Sequence, residues 1–325
     1  MRLLALDLGS GMRGGQRQTA LLLTGLAARG HGVRLLARRL SPFAAAARAA
    51  GLDVAEAPGG PEVSPSLLLA VSRQVRSFRP EIVYTGDARG HGAAVFSRAA
   101  AVSPLVVHRR VAFPPGRDPL SRLKYRSAAR YLAISRAVAS SLEEAGVPAE
   151  KIAVVPDGLA PGAFRENTAP APPPFRLAHV GAFDGLKGQE VVLEALARLV
   201  GDGLDATILF LGDGPRLAAV RALAAARGVA ERCTFAGQVE DVPARLAKCH
   251  LMVLPSASEG GPLVLVEAMA AGCLAVGHDV GGAREMVADG AAGILVGSLD
   301  PGAWASAVRG LLLDRERQAR LKEAG

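Results

Sequence analysis

The chain contains the stretch Leu251-Met-Val-Leu254-Pro-Ser-Ala-Ser-Glu259-Gly-Gly-Pro262-Leu-Val-Leu-Val-Glu267-Ala-Met-Ala-Ala-Gly272. Its first four residues form a short apolar run bounded by turn residues, which is typical of a buried parallel strand. Pro262 fits the first turn of a following helix, where its missing N–H has no cost. The stretch therefore predicts a strand, a glycine-rich loop and a helix, with Glu259 in the loop and Glu267 on the helix.

These residue types suit phosphate and hydroxyl groups. Gly260 and Gly261 lack side chains, so their amides can approach an anion at the positive end of the helix dipole, where a diphosphate would sit. A carboxylate accepts two hydroxyl hydrogen bonds, so Glu267 suits the vicinal hydroxyls of a ribose and Glu259 those of a sugar. The structural alternative is that both glutamates are solvated residues at the start of a helix.

The chain continues as Cys273-Leu-Ala-Val-Gly277-His-Asp-Val-Gly281-Gly282-Ala-Arg-Glu285-Met-Val-Ala-Asp-Gly290-Ala-Ala-Gly293-Ile-Leu-Val296. With this run of strand, Gly-Gly loop, helix and strand, it resembles a retaining glycosyltransferase of family 4 over essentially its whole length. Glu259 and Glu267 match the E-x7-E element of that family. The resemblance implies the α/β fold called GT-B, with two Rossmann-like parallel-sheet domains that face each other across a cleft.

Short apolar runs alternate with Ala-, Leu- and Arg-rich segments of helical length, which predicts parallel sheets covered by helices. The predicted strands of the first half are Leu3–Leu8, Val33–Ala37, Glu81–Tyr84, Leu105–His108, Tyr131–Ile134 and Ile152–Val155. Those of the second half are Phe175–Val180, Ala206–Leu211, Cys233–Phe235, Leu251–Leu254, Leu274–Val276 and Gly293–Val296. Prolines between Pro156 and Pro174 indicate a linker. We therefore predict domains over residues 1–168 and 169–325, to which the resemblance assigns acceptor binding and donor binding, respectively.

Charge is distributed unevenly along the 325 residues. Residues 1–168 hold 23 Lys and Arg against 12 Asp and Glu, a net charge of +11, whereas residues 169–325 hold 15 against 18, a net charge of −3. The basic half suggests an anionic acceptor, such as a glycolipid or saccharide, or a membrane face. The alternative is arginine usage driven by the genome, since 33 of the 38 basic residues are Arg.

Three cysteines, Cys233, Cys249 and Cys273, are odd in number and too far apart for a metal-ligand motif, which indicates a reduced cytoplasm. The apolar run from Met1 to Leu8 is too short for a signal peptide or a membrane span. We expect a cytoplasmic protein that is either soluble or peripheral at the inner face of the membrane, with no nucleic-acid partner.

A glycine run, Gly9-Ser-Gly11-Met-Arg-Gly14-Gly15, follows the first predicted strand and satisfies the dinucleotide pattern G-x-G-x-x-G. Arg38 and Arg39 follow the second strand, so an NADP-dependent oxidoreductase is an alternative. The resemblance instead implies that Gly14 and Gly15 border the donor phosphate and the transferred sugar.

Polar residues also follow two strands of the first sheet, at the edge where α/β folds bind ligands. Asp87, His91, Arg109 and Arg110 are predicted acceptor-binding residues. His108 matches a family histidine that lies beside the sugar and acceptor, with a base-like or a hydrogen-bonding role. The basic segment from Arg109 to Arg130 suits an acceptor phosphate or anionic lipid, or is a solvated helix.

In the second half, the segment from Gly181 to Gly188 resembles the family loop G-R-x-x-x-x-K-G. The resemblance implies that Lys187 neutralises the leaving diphosphate and that Glu259 positions the sugar, so the predicted catalytic residues are Lys187, Glu259 and His108. The predicted donor-binding residues are Gly14, Gly15, Gly181, Lys187, Gly212, Val239, Glu259, Gly260, Gly261, Pro262, Leu263 and Glu267. No D-x-D is present, so we expect neither a metal nor a cofactor besides the nucleotide-sugar.

Several positions depart from the family. Ala182 stands where the family loop has Arg, for which Arg13, Arg109 or Arg284 is a candidate substitute; Gly261 and Leu274 also differ. Family members usually continue into helices that cross back onto the first domain. We expect either that this crossover is absent or that the sequence is that of a shortened chain. A nucleotide-sugar-binding protein with impaired catalysis is therefore an alternative, and a nucleotide-sugar epimerase on the same fold is a third possibility.

Overall fold

The structure, a computed structural model, describes residues 1–116, 118–160, 162 and 166–325. The chain forms two compact units, unit 1 over Met1–Gly158 and unit 2 over Leu159–Gly325. This division lies in the proline-bearing stretch that predicted a linker, as does the predicted boundary at residue 168. Arg117, Pro161 and residues 163–165, which lie within stretches discussed in the sequence analysis, are outside the described residues.

Unit 1 is a parallel sheet with helices packed on it. Its described strands are β1 (Arg2–Asp7), β2 (Gly32–Arg38), β3 (Asp53–Ala57), β4 (Ile82–Thr85), β5 (Leu105–Arg109), β6 (Arg130–Ala133) and β7 (Ile152–Val154). Its described helices are α1 (Gly14–Ala28), α2 (Pro42–Ala49), α3 (Pro65–Phe78), α4 (Ala88–Phe96), α5 (Ala99–Val102), α6 (Pro119–Arg126) and α7 (Arg136–Glu144). The strand order is β3-β2-β1-β4-β5-β6-β7, and the described pairs are parallel.

Unit 2 repeats this architecture. Its described strands are β8 (Phe175–Val180), β9 (Ala206–Leu211), β10 (Cys233–Phe235), β11 (Leu251–Leu254), β12 (Leu274–His278) and β13 (Ile294–Val296). Its described α-helices are α8 (Gln189–Gly201), α9 (Leu217–Ala226), α10 (Val242–Leu246), α11 (Leu263–Ala270), α12 (Ala283–Met286), α13 (Pro301–Leu313) and α14 (Arg315–Ala324). The strand order is β10-β9-β8-β11-β12-β13.

Local sequence explains these elements. In β1, five successive residues after Arg2 are buried, as expected for a central parallel strand covered on both faces. Helix α2 begins after Ser41, whose hydroxyl accepts a hydrogen bond from the amide of Ala44 at 3.1 Å. Separate groups of buried apolar side chains lie on the two faces of each sheet, around Leu6 and Phe43 in unit 1 and around Trp304 and Met252 in unit 2.

The strand orders define where ligands bind. In each sheet the crossover direction reverses, between β1 and β4 in unit 1 and between β8 and β11 in unit 2. Loops diverge at such a topological switch point and leave a crevice at the carboxyl ends of the strands. The crevice of unit 1 therefore follows Asp7 and Thr85, and that of unit 2 follows Val180 and Leu254.

Every predicted strand coincides with or overlaps an observed strand, but β3 was not predicted. Asp53-Val-Ala-Glu-Ala57 has no apolar run, and as an edge strand it pairs only with β2 among the described strands. The predicted place of Pro262 in the first helical turn is also corrected. Its ψ of 86° is not helical, so Pro262 is the capping residue and helix α11 begins at Leu263.

Candidate functional site

The crevice of unit 2 brings together the two loops that the sequence singled out. The ammonium group of Lys187, in the loop after β8, lies 2.7 Å from the Oε1 atom of Glu259, in the loop after β11. The Lys187 side chain is 28% exposed and that of Glu259 is 10% exposed, so a ligand in the crevice would reach the lysine more easily. The loops are also joined through their backbones, since the amide of Ala257 donates to the carbonyl of Leu186 at 2.8 Å.

Glycines let these loops approach one another closely. Gly188 has a φ of +72°, and a Cβ there would lie 2.9 Å from the carbonyl carbon of Pro255. Gly281 has a φ of +57°, and a Cβ there would lie 2.8 Å from the carbonyl carbon of Glu259. At Gly181 a Cβ would lie 2.9 Å from the Cγ atom of Lys187. A side chain at any of these positions would displace a residue of the Lys187–Glu259 pair or its loop.

Helix α11 starts directly after the second loop. Its capping residue Pro262 is buried and supplies no side-chain hydrogen bond, so the first amides of the helix are not capped by that side chain. Gly260, Gly261 and Leu263 are half-buried at this helix start. Glu267 is half-buried on the helix, as predicted. The predicted loop and helix positions of the two glutamates are thus confirmed.

Two further predicted donor residues lie at the carboxyl ends of neighbouring strands. Gly212 follows β9 with a φ of +136°, its amide donates to the carbonyl of Gly237 at 2.8 Å, and a Cβ there would meet the backbone of Gly181. Val239 follows Gly237 and is half-buried. These residues border the Lys187 loop through Gly181, and their roles in donor binding stay predictions.

Two histidines that the sequence analysis did not select support the crevice. His179, on β8, is fully buried, and its Nδ1 atom donates to the carbonyl of Val253 at 2.9 Å. Burial lowers the pKa of His179 to about 4, with Lys187 as a smaller cause in the same direction. The Nδ1 atom of His278 donates to the carbonyl of Ser256 at 2.8 Å. Single histidines within strands carry no spacing signal that could have revealed them.

Ala182, where the family loop has Arg, contributes only its backbone to a described hydrogen bond, accepting from the amide group of Gln189 at 2.9 Å. Arg284, one candidate substitute, is ion-paired with Asp279. Arg216 lies against the same loop, because its amide donates to the carbonyl of Phe183 at 2.9 Å. The guanidinium of Arg216 forms an ion pair with Glu190 at 2.8 Å. The sequence analysis did not select Arg216.

The crevice of unit 1 contains two carboxyl groups, of which Asp7 is buried and Asp87 is half-buried. Asp7, at the end of β1, accepts hydrogen bonds from the side chains of Gln16 at 3.1 Å and Thr19 at 3.3 Å. Asp87 caps helix α4 and accepts from the amides of Gly90 at 2.9 Å and Leu8 at 3.3 Å. Burial, and then repulsion from Asp7, raises the pKa of Asp87 to about 7. The described contacts of Asp87 are thus those of a helix cap, and its predicted acceptor role stays a prediction.

Arg110 is the centre of this buried region. Its Nε atom donates to both oxygens of Asp157 at 3.2 and 3.1 Å, and its Nη2 atom donates to the Nδ1 atom of His108 at 2.9 Å. The hydroxyl of Tyr84 also lies 2.9 Å from that Nδ1 atom. Burial, and then the charge of Arg110, lowers the pKa of His108 to about 3. Asp157 follows β7 and was not selected from the sequence.

Gly14 and Gly15 begin helix α1 beside this region. A Cβ at Gly15 would lie 3.6 Å from the Cδ atom of Arg110, whereas a Cβ at Gly14 would meet no described atom within 4 Å. Gln16 joins the glycine turn to β1, because it accepts from the amide of Arg13 at 3.1 Å while it donates to Asp7.

The other predicted acceptor residues hold the fold together. His91 is 2% exposed, and its Nε2 atom donates to the carbonyl of Lys124 at 3.0 Å. The Nη1 atom of Arg109 donates to the hydroxyl of Tyr125 at 2.6 Å, and its Nη2 atom donates to the carbonyl of Phe113. These contacts give no support to acceptor binding by His91 or Arg109, which stays a prediction.

Within the part of the chain that the structure describes, no group of three or more His, Cys, Asp or Glu side chains is placed to hold a metal ion. The same described residues include no helix with the length and apolar character needed to cross a membrane.

Two doubly wound parallel sheets of this topology, joined by a linker, are the fold class of the GT-B glycosyltransferases. Residues 163–325 match the family described as Glycosyl transferases group 1, and residues 12–161 match Glycosyltransferase Family 4. The chain belongs to this glycosyltransferase family, as the sequence motifs predicted. Family membership favours the glycosyltransferase interpretation of the Gly9–Gly15 run over the dinucleotide-binding alternative.

Individual relatives match parts of the chain. It is 36% identical over 213 residues to a D-inositol 3-phosphate glycosyltransferase of Nocardia farcinica. This match covers 57% of this chain and 47% of the relative. It is 35% identical over 147 residues to an alpha-D-kanosaminyltransferase of Streptomyces kanamyceticus. This match covers 45% of this chain and 38% of the relative. The matches thus span less than half the length of these relatives.

Solved structures match the fold over the whole chain. The crystal structure of Anabaena HepE in complex with UDP and glucose has a TM-score of 0.83 and 20% identity, and it covers 100% of this chain and 93% of that protein. Sucrose-phosphate synthase from Thermosynechococcus elongatus has a TM-score of 0.82 and 19% identity, and the match covers 99% of this chain and 92% of that protein. The predicted GT-B fold is therefore confirmed.

Proposed function

We propose that this protein transfers a sugar from a nucleotide-diphosphate-sugar to an acceptor hydroxyl with retention of anomeric configuration. The observation that carries the proposal is the contact between Lys187 and Glu259 at the switch point of unit 2. It places the predicted diphosphate-binding cation and the predicted sugar-binding carboxylate 2.7 Å apart, next to the start of helix α11.

Lys187 would stabilise the diphosphate as it leaves. Its ammonium is paired with Glu259 at 2.7 Å. A bound diphosphate competes for that ammonium, and the amides at the start of helix α11 add further donors. Glu259 is then released to accept hydrogen bonds from sugar hydroxyls. This exchange of partners lets one compact pair serve both the phosphates and the sugar.

The transfer step forms one bond and breaks one. The acceptor oxygen bonds to the anomeric carbon on the face from which the phosphate oxygen departs, and the electron pair of the broken bond leaves with the nucleoside diphosphate. The acceptor proton passes to that leaving oxygen. Charge grows on the leaving oxygen through an oxocarbenium-like state, so preorganised positive charge from Lys187 lowers the barrier. Retention rests on family membership.

The remaining predicted residues take supporting roles in this proposal. Glu267 binds the ribose hydroxyls, backbone near Val239 contacts the base, and the backbone of Gly14, Gly15, Gly181 and Gly212 leaves room for the phosphates and sugar. His108 donates a hydrogen bond to the sugar or acceptor. Because Arg110 donates to its Nδ1 atom, the ring is not a free base at that nitrogen.

Replacement of Lys187 tests its assigned role. Lys187→Ala is expected to lower kcat by about 10²-fold, while the donor dissociation constant changes by less than about 10-fold, because the charge is needed most in the transition state. Lys248→Ala, which removes an exposed lysine of unit 2, is the matched control and is expected to leave both quantities unchanged. Equal losses of kcat and donor affinity in Lys187→Ala would contradict the role.

Calorimetry identifies the donor. HepE was crystallised with UDP and glucose, so UDP-glucose is the first candidate, followed by the GDP- and ADP-sugars. Glu267→Ala is expected to abolish binding of the preferred nucleotide-sugar. Binding without any transfer would support the impaired-catalysis alternative. Binding of NADPH alone would overturn the proposal.

We also propose that no metal ion is needed, because Lys187 and the helix amides supply the countercharge. Transfer is expected to proceed at the same rate after treatment with EDTA and to show no stimulation by Mg²⁺ or Mn²⁺. A rate that collapses with EDTA and returns with either ion would show that a cation is required.

An anionic acceptor in the cell envelope, reached from the cytoplasmic face of the membrane, fits the surface of unit 1. Helix α6 exposes Leu120 at 60% and Leu123 at 52%, and it also exposes Arg122 and Arg126. Phe113, tied to this helix through Arg109, is 51% exposed. Apolar and cationic side chains together suit the interface of an anionic bilayer.

Vesicle sedimentation tests this association. The protein is expected to sediment with vesicles of phosphatidylcholine and phosphatidylglycerol, and less with phosphatidylcholine alone. The double change Leu120→Ser and Leu123→Ser is expected to release it. Leu69→Ser on helix α3, where the side chain is 49% exposed, is the control. Equal sedimentation of both variants with the anionic vesicles would contradict the proposed surface.

A further inference from the structure

We infer that Arg110 and Asp157 are positioning residues, which hold the ring of His108 in the tautomer with its proton on Nε2, and that Arg110 does not itself bind the acceptor. The inference deepens the proposed function, because it concerns the histidine assigned to the sugar and acceptor.

The hydrogen bonds of Arg110 account for its whole donor capacity. A guanidinium has five N–H groups: one on Nε and two on each Nη atom. The Nε atom donates to Asp157. The Nη1 atom donates to the hydroxyl of Thr19 and to the carbonyl of Gly86, both at 3.3 Å. The Nη2 atom donates to the Nδ1 atom of His108 at 2.9 Å and to the hydroxyl of Tyr84 at 3.4 Å. No N–H group is left for a substrate.

The same contacts fix the tautomer of His108. Arginine has no acceptor atom, so a contact of 2.9 Å with its Nη2 atom requires a lone pair on Nδ1. The hydroxyl of Tyr84, at the same distance, is able to donate to that lone pair as well. The proton of the neutral ring is therefore on Nε2. The Nε2 atom makes no hydrogen bond of normal geometry to a described residue, and the nearest carboxylate oxygen, Oδ1 of Asp157, is 3.8 Å away.

Asp157 keeps the guanidinium in place. The pair is largely buried, with 11% of the Asp157 side chain and 10% of the Arg110 side chain exposed. The backbone beside Asp157 is fixed in turn, because Gln18 donates to the carbonyl of Gly158 at 2.8 Å and accepts from its amide at 3.2 Å. Without Asp157, a buried cation would lose its charge partner and turn towards water.

The groups that face His108 act on its protonation in known directions. Burial is the largest cause of its low pKa, the charge of Arg110 acts in the same direction, and the backbone of Val155 acts weakly against them. Asp157 and Tyr84 complete the surroundings. Loss of Arg110 removes both a positive neighbour and the donor that occupies Nδ1, so protonation becomes easier.

Nitrogen NMR of protein labelled with ¹⁵N-histidine tests the inference directly. In the unmodified protein, His108 is expected to show a protonated Nε2, an unprotonated Nδ1 and no titration between about pH 5 and pH 8. In Arg110→Met the two tautomers are expected to mix, and the ring is expected to titrate closer to the ordinary value of about 6.5. Asp157→Asn is expected to weaken the Nε2 preference, and Arg110→Lys to restore part of it. His108→Gln assigns the signal.

The control is Arg34→Gln, which breaks an exposed ion pair with Asp53 in the same unit and is expected to leave the His108 signals unchanged. Circular dichroism establishes that each variant is folded, and Arg110→Lys and Asp157→Asn provide milder changes should Arg110→Met unfold. An unchanged tautomer and titration in folded Arg110→Met would overturn the inference, and so would an unchanged tautomer in folded Asp157→Asn should Arg110→Met unfold.

Kinetics adds a second readout. Arg110→Met is expected to lower kcat by at least 10-fold with little change in the donor KM, and to add an acidic limb to the pH profile near the new pKa of His108. A loss confined to acceptor KM, with an unchanged profile, would instead assign Arg110 to acceptor binding. The NMR result does not depend on transfer, so failure of the proposed function and failure of this inference are distinguishable.

Discussion

Replacement of Gly281 by alanine is expected to disable the site through the backbone of Glu259. The new Cβ would lie 2.8 Å from the carbonyl carbon of Glu259 and still closer to its oxygen. The carbonyl carbon must retreat by about 0.7 Å to restore ordinary contact, and the oxygen by more, so the movement exceeds the roughly 0.5 Å tolerance of a productive site. A displacement near 1 Å costs up to about 10²-fold in rate. We expect kcat/KM to fall by about 10- to 100-fold.

The matched control is Gly228→Ala. Gly228 has a φ of +69°, close to the +57° of Gly281, but its new Cβ would meet no described atom within 4 Å. Alanine in the left-handed region lowers the free energy of unfolding by about 1–2 kcal/mol in both variants. Release of nucleoside diphosphate and thermal unfolding measure the two effects separately. Equal losses of transfer in the two variants, or full activity in Gly281→Ala, would refute the reasoning.

Two further changes concern stability. Burial raises the pKa of Asp87 from 3.8 to about 7, so the folded protein retains a proton that the unfolded chain has lost, and this group lowers stability as pH rises from about 4 to about 7. Asp87→Asn keeps a capping oxygen, so differential scanning fluorimetry should show its Tm advantage growing across that window and then levelling; a constant difference would contradict the shift. Trp304 is 1% exposed and donates to the carbonyl of Ser298 at 2.7 Å. Trp304→Ala should lower the free energy of unfolding of unit 2 by about 3–5 kcal/mol in urea titrations, and a loss below about 1 kcal/mol would argue against its packing role.

The sequence predicted the sheet strands well where burial dictates composition. Central strands such as Leu251–Leu254 are apolar throughout, because helices cover both faces of the sheet. Strand β3 was not predicted from the sequence. Because it lies at the edge of the sheet, only part of one face needs to be apolar, and its residues Asp53 and Glu56 are exposed. The helix start at Leu263 shifted by one residue because proline fixes φ but leaves ψ free.

The candidate site was predictable only where a motif carries its chemistry in a short stretch. Lys187 and Glu259 belong to such motifs, and their contact across 72 positions follows from the switch-point topology. Asp157 and His179 have no motif, since their roles depend on neighbours from distant strands. Arg110 was predicted to bind the acceptor because it follows a strand of the first sheet. Its partners Thr19, Gly86 and Asp157 are far from it along the chain, so the sequence did not reveal these contacts.

The crevice of unit 1 carries its own carboxyl groups. Asp7 accepts from the amide of Gly9 at 3.4 Å, and Asp87 accepts from those of Leu8 and Gly90. Amides at such a glycine turn are the groups that hold the pyrophosphate in a dinucleotide-binding sheet. Here the carboxyl group of Asp7 already accepts from the amide of Gly9, so a pyrophosphate would have to displace that buried side chain. The two sheets share one topology, yet only that of unit 2 presents an ammonium group at the corresponding crevice among the described contacts.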